Sequence, residues 1–208
     1  ASARVGAFPW HELGPAALCV VASDRAGLLA TISAALVIAD LDVVDAEAYT
    51  RRVGDAREAV DLFWVRSKES SIKPIDPPQI ERLNQLLNDL IDDNLTEADF
   101  SARRPPEEVE LGTTTVRFLE GDSGAITTLE VETTDRSGLL LALARALYTA
   151  GVQIVGSEVR TQGTRVSDRF EITELDGSSI SESRRLAIQV AVLGAVGPVI
   201  ATQRPSGE

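Results

Sequence analysis

Histidine is nearly missing from this chain. His11 is the only one among 208 residues. Sites built on clustered histidines, including metal-dependent His-Asp phosphohydrolase centres, are therefore out of reach. Cysteine is as scarce. Cys19 stands alone, so no intramolecular disulfide can form, and a reducing compartment, the cytoplasm, is expected. It lies in an apolar run (Ala17, Leu18, Val20, Val21) and reads as a small core residue, not a reactive thiol. Methionine is absent altogether, even at position 1. The chain is expected to begin inside a longer product or to have lost its initiator.

Positive charge is in deficit. Twenty Lys and Arg face 32 Asp and Glu, for a net charge of −12. A phosphate-backbone binder needs the opposite surplus, so no nucleic-acid partner is expected. An anionic membrane surface is disfavoured for the same reason. No uninterrupted apolar run is long enough to span a bilayer, and no charged-then-apolar leader opens the chain. Phosphate-cradling glycine loops of the P-loop type are absent. No cofactor, metal or catalytic residue is expected.

What the chain does have is a repeat. Leu18 to Ser23 runs into Asp24-Arg25-Ala26-Gly27-Leu28-Leu29. Leu129 to Thr134 runs into Asp135-Arg136-Ser137-Gly138-Leu139-Leu140. The offset is 135 − 24 = 111, and it still holds between Thr50 and Thr161. Between Asp61 and Asp168 it has become 168 − 61 = 107. The first copy thus carries four extra residues, expected in the turn around Arg52 to Arg57.

Each copy reads as strand, helix, strand, strand, helix, strand. Leu18–Ala22 and Thr128–Glu132 are the first strands. Leu28, Ile32, Ala35 and Ala39, then Leu139, Leu143, Ala146 and Ala150, recur at helical spacing. Val44, Ala46 and Ala48 alternate with Asp45, Glu47 and Tyr49 in a half-buried strand, matched by Gln153 to Thr161. Turns near Gly54 and Gly163 lead into Val60–Val65 and Val166–Ile172. A second helix starts at Pro77 and Pro78 and buries Ile80, Leu83, Leu87 and Leu90. Its counterpart, capped by Ser181, is expected to bury Leu186, Val190 and Leu193. Thr113–Leu119 and Pro198–Thr202 would be the final strands. The plan is α+β: two ferredoxin-like βαββαβ units, each an antiparallel four-stranded sheet with helices on one face. The first unit is expected over residues 1–120, with a core at 16–93 plus strand 113–119. The second covers 121–208. Polar residues 94–112 read as a surface loop.

The third strands differ. Ser167, Arg169 and Glu171 give the second copy one polar face. Val60, Leu62 and Trp64 take that face in the first. A sheet face carrying Trp and Leu together is expected to be covered, by the other copy, by a second chain or by a further domain.

The duplicated turn is the candidate site. A helix start exposes unpaired N–H groups and the positive end of the dipole, which suits a carboxylate. Gly27 and Gly138 allow close approach. Asp24 or Asp135 could take a ligand ammonium. Alternatively they only cap their helices, and Arg25 and Arg136 are only solvated. Asp61 and Asp168 recur on the apolar face of strand three. They could serve as an acid–base pair or as structural carboxylates bonded to backbone.

The strand, the Asp-Arg-x-Gly-Leu-Leu turn and the helix, followed by Leu41 to Ala46 or Gly151 to Gly156, resemble ACT domains. Both copies in order, with Ala48 to Arg51, Val60 to Val65 and Ile172 to Gly177, are similar to the C-terminal ACT pair of bifunctional PII uridylyltransferase/uridylyl-removing enzymes. That resemblance implies allosteric, non-catalytic sensing of an amino acid, glutamine, in nitrogen metabolism. It places ligand contacts on Asp24 to Leu29, Asp135 to Leu140, Asp42, Val43, Gln153 and Ile154. Ala26 and Ser137 stand where the family usually has proline, and Asp42 and Gln153 where it often has asparagine. No glycine-serine nucleotidyltransferase loop with a paired Asp-x-Asp is present. The alternative is a ligand-free interaction or dimerisation module, such as an accessory of a transcription regulator. A homodimer or docking to another protein domain is expected in either case.

Overall fold

A computed structural model of the chain describes residues 2–8, 16–67, 75–92, 112–119 and 124–196. His11, most of the 94–112 loop and the expected strand Pro198–Thr202 lie outside them. Eight strands and four helices follow in order: β1 (Arg4–Phe8), β2 (Ala16–Ser23), α1 (Leu28–Ile38), β3 (Leu41–Val53), β4 (Ala56–Ser67), α2 (Pro77–Ile91), β5 (Thr115–Phe118), β6 (Thr127–Thr134), α3 (Leu139–Thr149), β7 (Val152–Gln162), β8 (Arg165–Glu174) and α4 (Glu182–Val196).

All eight strands form one antiparallel sheet, ordered β1-β2-β4-β3-β7-β8-β6-β5. Each half has the ferredoxin-like strand order. The edge strand, however, comes from the wrong side of the repeat. β5 was expected to complete the first sheet, but it pairs with β6 of the second copy, Thr115 opposite Glu132. The first copy is completed by β1, with Val5 opposite Val20. β1 is only five residues long, and Gly6 and Ala7 at its centre give too weak a strand pattern to read from sequence. Each unit therefore runs strand, strand, helix, strand, strand, helix.

The two halves join edge to edge. β3 pairs with β7 so that Glu47 lies opposite Glu158. These two are equivalent under the 111-residue offset, so a pseudo-twofold axis passes between them. The copies thus lie side by side, and neither covers the other's sheet. Trp64 is half-buried and packs edge to face against Phe8 of β1, ring centroids 6.2 Å apart. Cys19, on the same outer face, is half-buried and not a core residue. Burial, and then the Asp61 carboxylate, push its thiol upward in pKa, which disfavours the reactive thiolate.

The extra residues of the first copy do not enlarge a turn. Both hairpins have two-residue tips, Gly54-Asp55 and Gly163-Thr164. The glycine offset is 163 − 54 = 109, midway between 111 and 107. Two residues were therefore added to each arm, which keeps every side chain on its original face.

The helices form a row, α2 on α1, α1 on α3, α3 on α4. α1 lies inside that row, so nearly all its side chains are buried. α2 opens with a capping box: Asp76 accepts from the Gln79 N–H, and Gln79 accepts in return. Leu83, Leu87 and Leu90 are buried as expected. α4 corrects the sequence reading. Ile188, Val192 and Val196 face the core, while Leu186, Val190 and Leu193 are exposed. Both stripes are apolar at helical spacing, so periodicity could not choose between them. Ser181 precedes α4, but its hydroxyl bonds to that of Ser183. Among the described residues no helix is long and apolar enough to cross a membrane.

Candidate functional site

Edge-to-edge joining gives each duplicated turn a neighbour from the other copy. Two clefts result. In cleft one, Asp24, Arg25, Gly27, Leu28 and Leu29 face Gln153 and Ile154, across copies. In cleft two, Asp135, Arg136, Ser137, Gly138, Leu139 and Leu140 face Asp42 and Val43. Of the sequence-predicted set only Ala26 lines neither. The start of strand two does lie beside a turn, but it is the turn of the other copy. Matching β-bulges between Val43 and Asp45 and between Ile154 and Gly156 sit where β3 and β7 enter the clefts.

The turns are built alike. Gly27 and Gly138 start their helices at φ 77° and 73°, in the left-handed region. Neither helix start has a side-chain cap, so Asp24 and Asp135 are not capping residues. Leu28 N–H donates to the Arg25 carbonyl and Leu139 N–H to that of Arg136. The next amides, at Leu29 and Leu140, lie at a helix start where the ladder supplies no acceptor. Nor are the arginines merely solvated. Arg25 donates to the Ile91 carbonyl at 3.1 Å, and Arg136 to the Ala195 carbonyl at 2.7 Å. Each ties its turn to the C-terminal end of the second helix of its own copy, where a cation suits the dipole.

The carboxyls differ. Asp24 is nearly buried and lies 3.1 Å from Arg57 and 3.4 Å from the Gln153 amide. Thr164 occupies the place of Arg57 in the second copy; the carbonyl of each accepts the aspartate N–H of its turn. There, Ser137 donates to Asp42 at 2.7 Å. Asp61 and Asp168, not in the predicted ligand set, line clefts one and two. Burial, and secondarily the Asp24 carboxylate, raise Asp61 to about 7, although the Tyr49 N–H works the other way. Burial, then Asp135, hold Asp168 well above the usual carboxylate range. Their recurrence on an apolar face was the sequence signal. The two do not meet as an acid–base pair, because each serves its own cleft.

The rims also differ. Tyr148 packs onto Gly27, where an added Cβ would lie 2.9 Å from its ring. Its equivalent by the 111 offset, Val37, leaves 3.7 Å at Gly138. Arg66 lines cleft two; Thr173 stands at its equivalent position (66 + 107 = 173). The cavities are small, about 30 and 40 Å³, room for a few waters. Among the described residues, no group of three or more His, Cys, Asp and Glu is arranged to hold a metal ion.

The bifunctional uridylyltransferase/uridylyl-removing enzyme of Erythrobacter litoralis (strain HTCC2594) is 31% identical over 195 residues, 89% of this chain. This chain is a homologue of one region of such enzymes. That of Gluconobacter oxydans (strain 621H) is 31% identical over 196 residues, and that of Ruegeria pomeroyi 28% over 183. The chain spans about a fifth of the length of these relatives, 20% in each case. No family model matches it. Among solved structures, aspartate kinase from Synechocystis aligns at TM-score 0.46 and 15% identity, over 86% of this chain and 26% of its own.

Proposed function

We propose that this chain is a regulatory module that senses a free α-amino acid at the clefts between its two copies, with cleft two as the principal site. One observation carries the reading. Cleft two brings a helix start and Arg66 together with the carboxyls of Asp135 and Asp168. The first pair suits a carboxylate and the second an ammonium. Any such ligand would touch both copies and bias how they sit together. That coupling is what regulation of attached catalytic domains requires. The uridylyltransferase relatives support such a context, and L-glutamine is the ligand the resemblance favours.

A thermal-shift screen over the twenty amino acids tests this. Ligand at about 100-fold over its Kd adds about 2.7 kcal/mol, roughly 5–10 °C at this chain length. L-Glutamine is expected to give the largest shift. No shift from any amino acid at 10 mM, on the order of the weakest affinity worth sensing, rejects the reading. A ligand-free interaction module is the second reading, favoured by the exposed Leu186, Val190 and Leu193 stripe on α4. Light scattering with and without L-glutamine separates the two, since only the interaction module self-associates independently of ligand.

A further inference from the structure

Cleft two gathers buried polar atoms that nothing among the described residues satisfies. Ser33 Oγ, Thr161 Oγ1 and Asp168 Oδ1 all lack a hydrogen-bond partner there, and all three residues line this cleft. Ser33 is 2% exposed and Asp168 1%. They come from three elements: α1 of the first copy, β7 and β8 of the second. Cleft one lacks this set. Ala144 stands in the place of Ser33 (33 + 111 = 144), and Asp61 accepts the Tyr49 N–H. Each unsatisfied buried group costs about 1–3 kcal/mol. Three around one cleft mark a place the fold leaves for a polar guest.

The chemistry of the guest follows from donors and acceptors. All three oxygens accept. A primary ammonium brings three N–H donors and no acceptor. A carboxylate or carbonyl would bring only acceptors, and would match Asp168 only while its carboxyl keeps a proton to donate. We propose that cleft two holds the ligand's primary ammonium in a three-oxygen cage formed by Asp168, Thr161 and Ser33, and so selects α-amino acids over their des-amino analogues. This rests on the amino-acid reading above.

The cage makes binding proton-linked. The charged groups facing Asp168 are Asp135 and Arg136 from the turn of the second copy, with Asp42 and Arg66 from the first; α1 adds none to the lining. Burial, and then the Asp135 carboxylate, hold the pKa of Asp168 well above the usual carboxylate range in the empty cleft. The ammonium takes the ionised form, so the carboxyl proton leaves to solvent as the ion pair forms. Affinity then rises with pH until Asp168 is ionised without ligand.

Isothermal titration of the full chain at pH 7, in two buffers of different ionisation enthalpy, tests the cage. The probes are L-glutamine and its des-amino analogue, 4-carbamoylbutanoate. L-Glutamine should release up to one proton per chain, and the analogue should bind at least ~10-fold more weakly, the loss of a charged hydrogen bond. Asp168→Asn should weaken L-glutamine by ~10-fold or more and abolish the release. Ser33→Ala, which copies cleft one, should weaken it several-fold and keep the release. Equal binding of the analogue, or unchanged affinity and proton release in Asp168→Asn, overturns the cage and leaves the sensor reading standing. No binding of L-glutamine also overturns the cage. The sensor reading falls with it only if the other nineteen amino acids leave the melting temperature unchanged.

Discussion

Single residues in the two turns have the same backbone task and different neighbours. Gly27 and Gly138 both hold positive φ, which a Cβ makes unfavourable by about 1–2 kcal/mol. Gly138→Ala should lose that amount in urea unfolding. Gly27→Ala should lose more, because its Cβ also meets Tyr148 at 2.9 Å. Adding Tyr148→Val, the residue type at the equivalent Val37, should bring the Gly27 variant back to the level of Gly138→Ala. No recovery would mean the ring is not what the new methyl strikes. Asp61 gives a second residue-scale test. Its folded pKa is raised from 3.8 to about 7, so the folded state binds more protons within that window. Stability from this group is full below pH 4 and is lost as pH rises towards 7. Asp61→Asn should therefore gain on the wild type across that window and then level off. The gain should accumulate at roughly 1.4 kcal/mol for each pH step of one within the window. A difference independent of pH would show that Asp61 keeps an ordinary pKa.

At the scale of elements, much was legible and two things were not. The apolar spacing of α1, α3 and α2 is unambiguous, and Pro77-Pro78 marks the start of α2. Strands two and three declared themselves by alternation. The edge strand escaped because β5 follows α2, where the last strand of a βαββαβ unit would stand, yet it pairs with β6, the strand next to it in the chain. The face of α4 escaped because both its sides are apolar. The turn arginines also looked idle in sequence, since their acceptors are carbonyls 59 to 66 residues away. Arg136 holds the last turn of α4 through the Ala195 carbonyl, as Arg25 holds that of α2 through Ile91. Arg136→Ala should destabilise the chain by about 1–2 kcal/mol, combining a charged hydrogen bond with the dipole interaction. Hydrogen exchange should quicken first near Ala195. Uniform quickening throughout α4 would instead place the role of Arg136 in global packing.

For the whole molecule, the decisive event is the meeting of β3 and β7. The repeat announced two copies but not how they join, so the sequence could offer each turn only its own strand-two start. The join exchanges those starts between copies and creates the clefts. It also sets Glu47 directly opposite Glu158 on the pseudo-twofold axis. Like charges facing each other across strands are destabilising, by roughly 0.2–1 kcal/mol. Arg160 pairs with Glu158, and Arg169 approaches it at 4.0 Å. Glu47 accepts from the Tyr49 hydroxyl at 2.8 Å, and that contact survives an amide. Glu47→Gln should therefore stabilise the junction at pH 7 by an amount in that range. The gain should shrink in high salt, which screens exposed charge. The readout is the difference in melting temperature between variant and wild type at pH 7 across salt concentrations. If Glu47→Gln instead melts lower at pH 7, then Glu47 shares the field of Arg160 and Arg169, and the junction is held by charge as well as by its ladder.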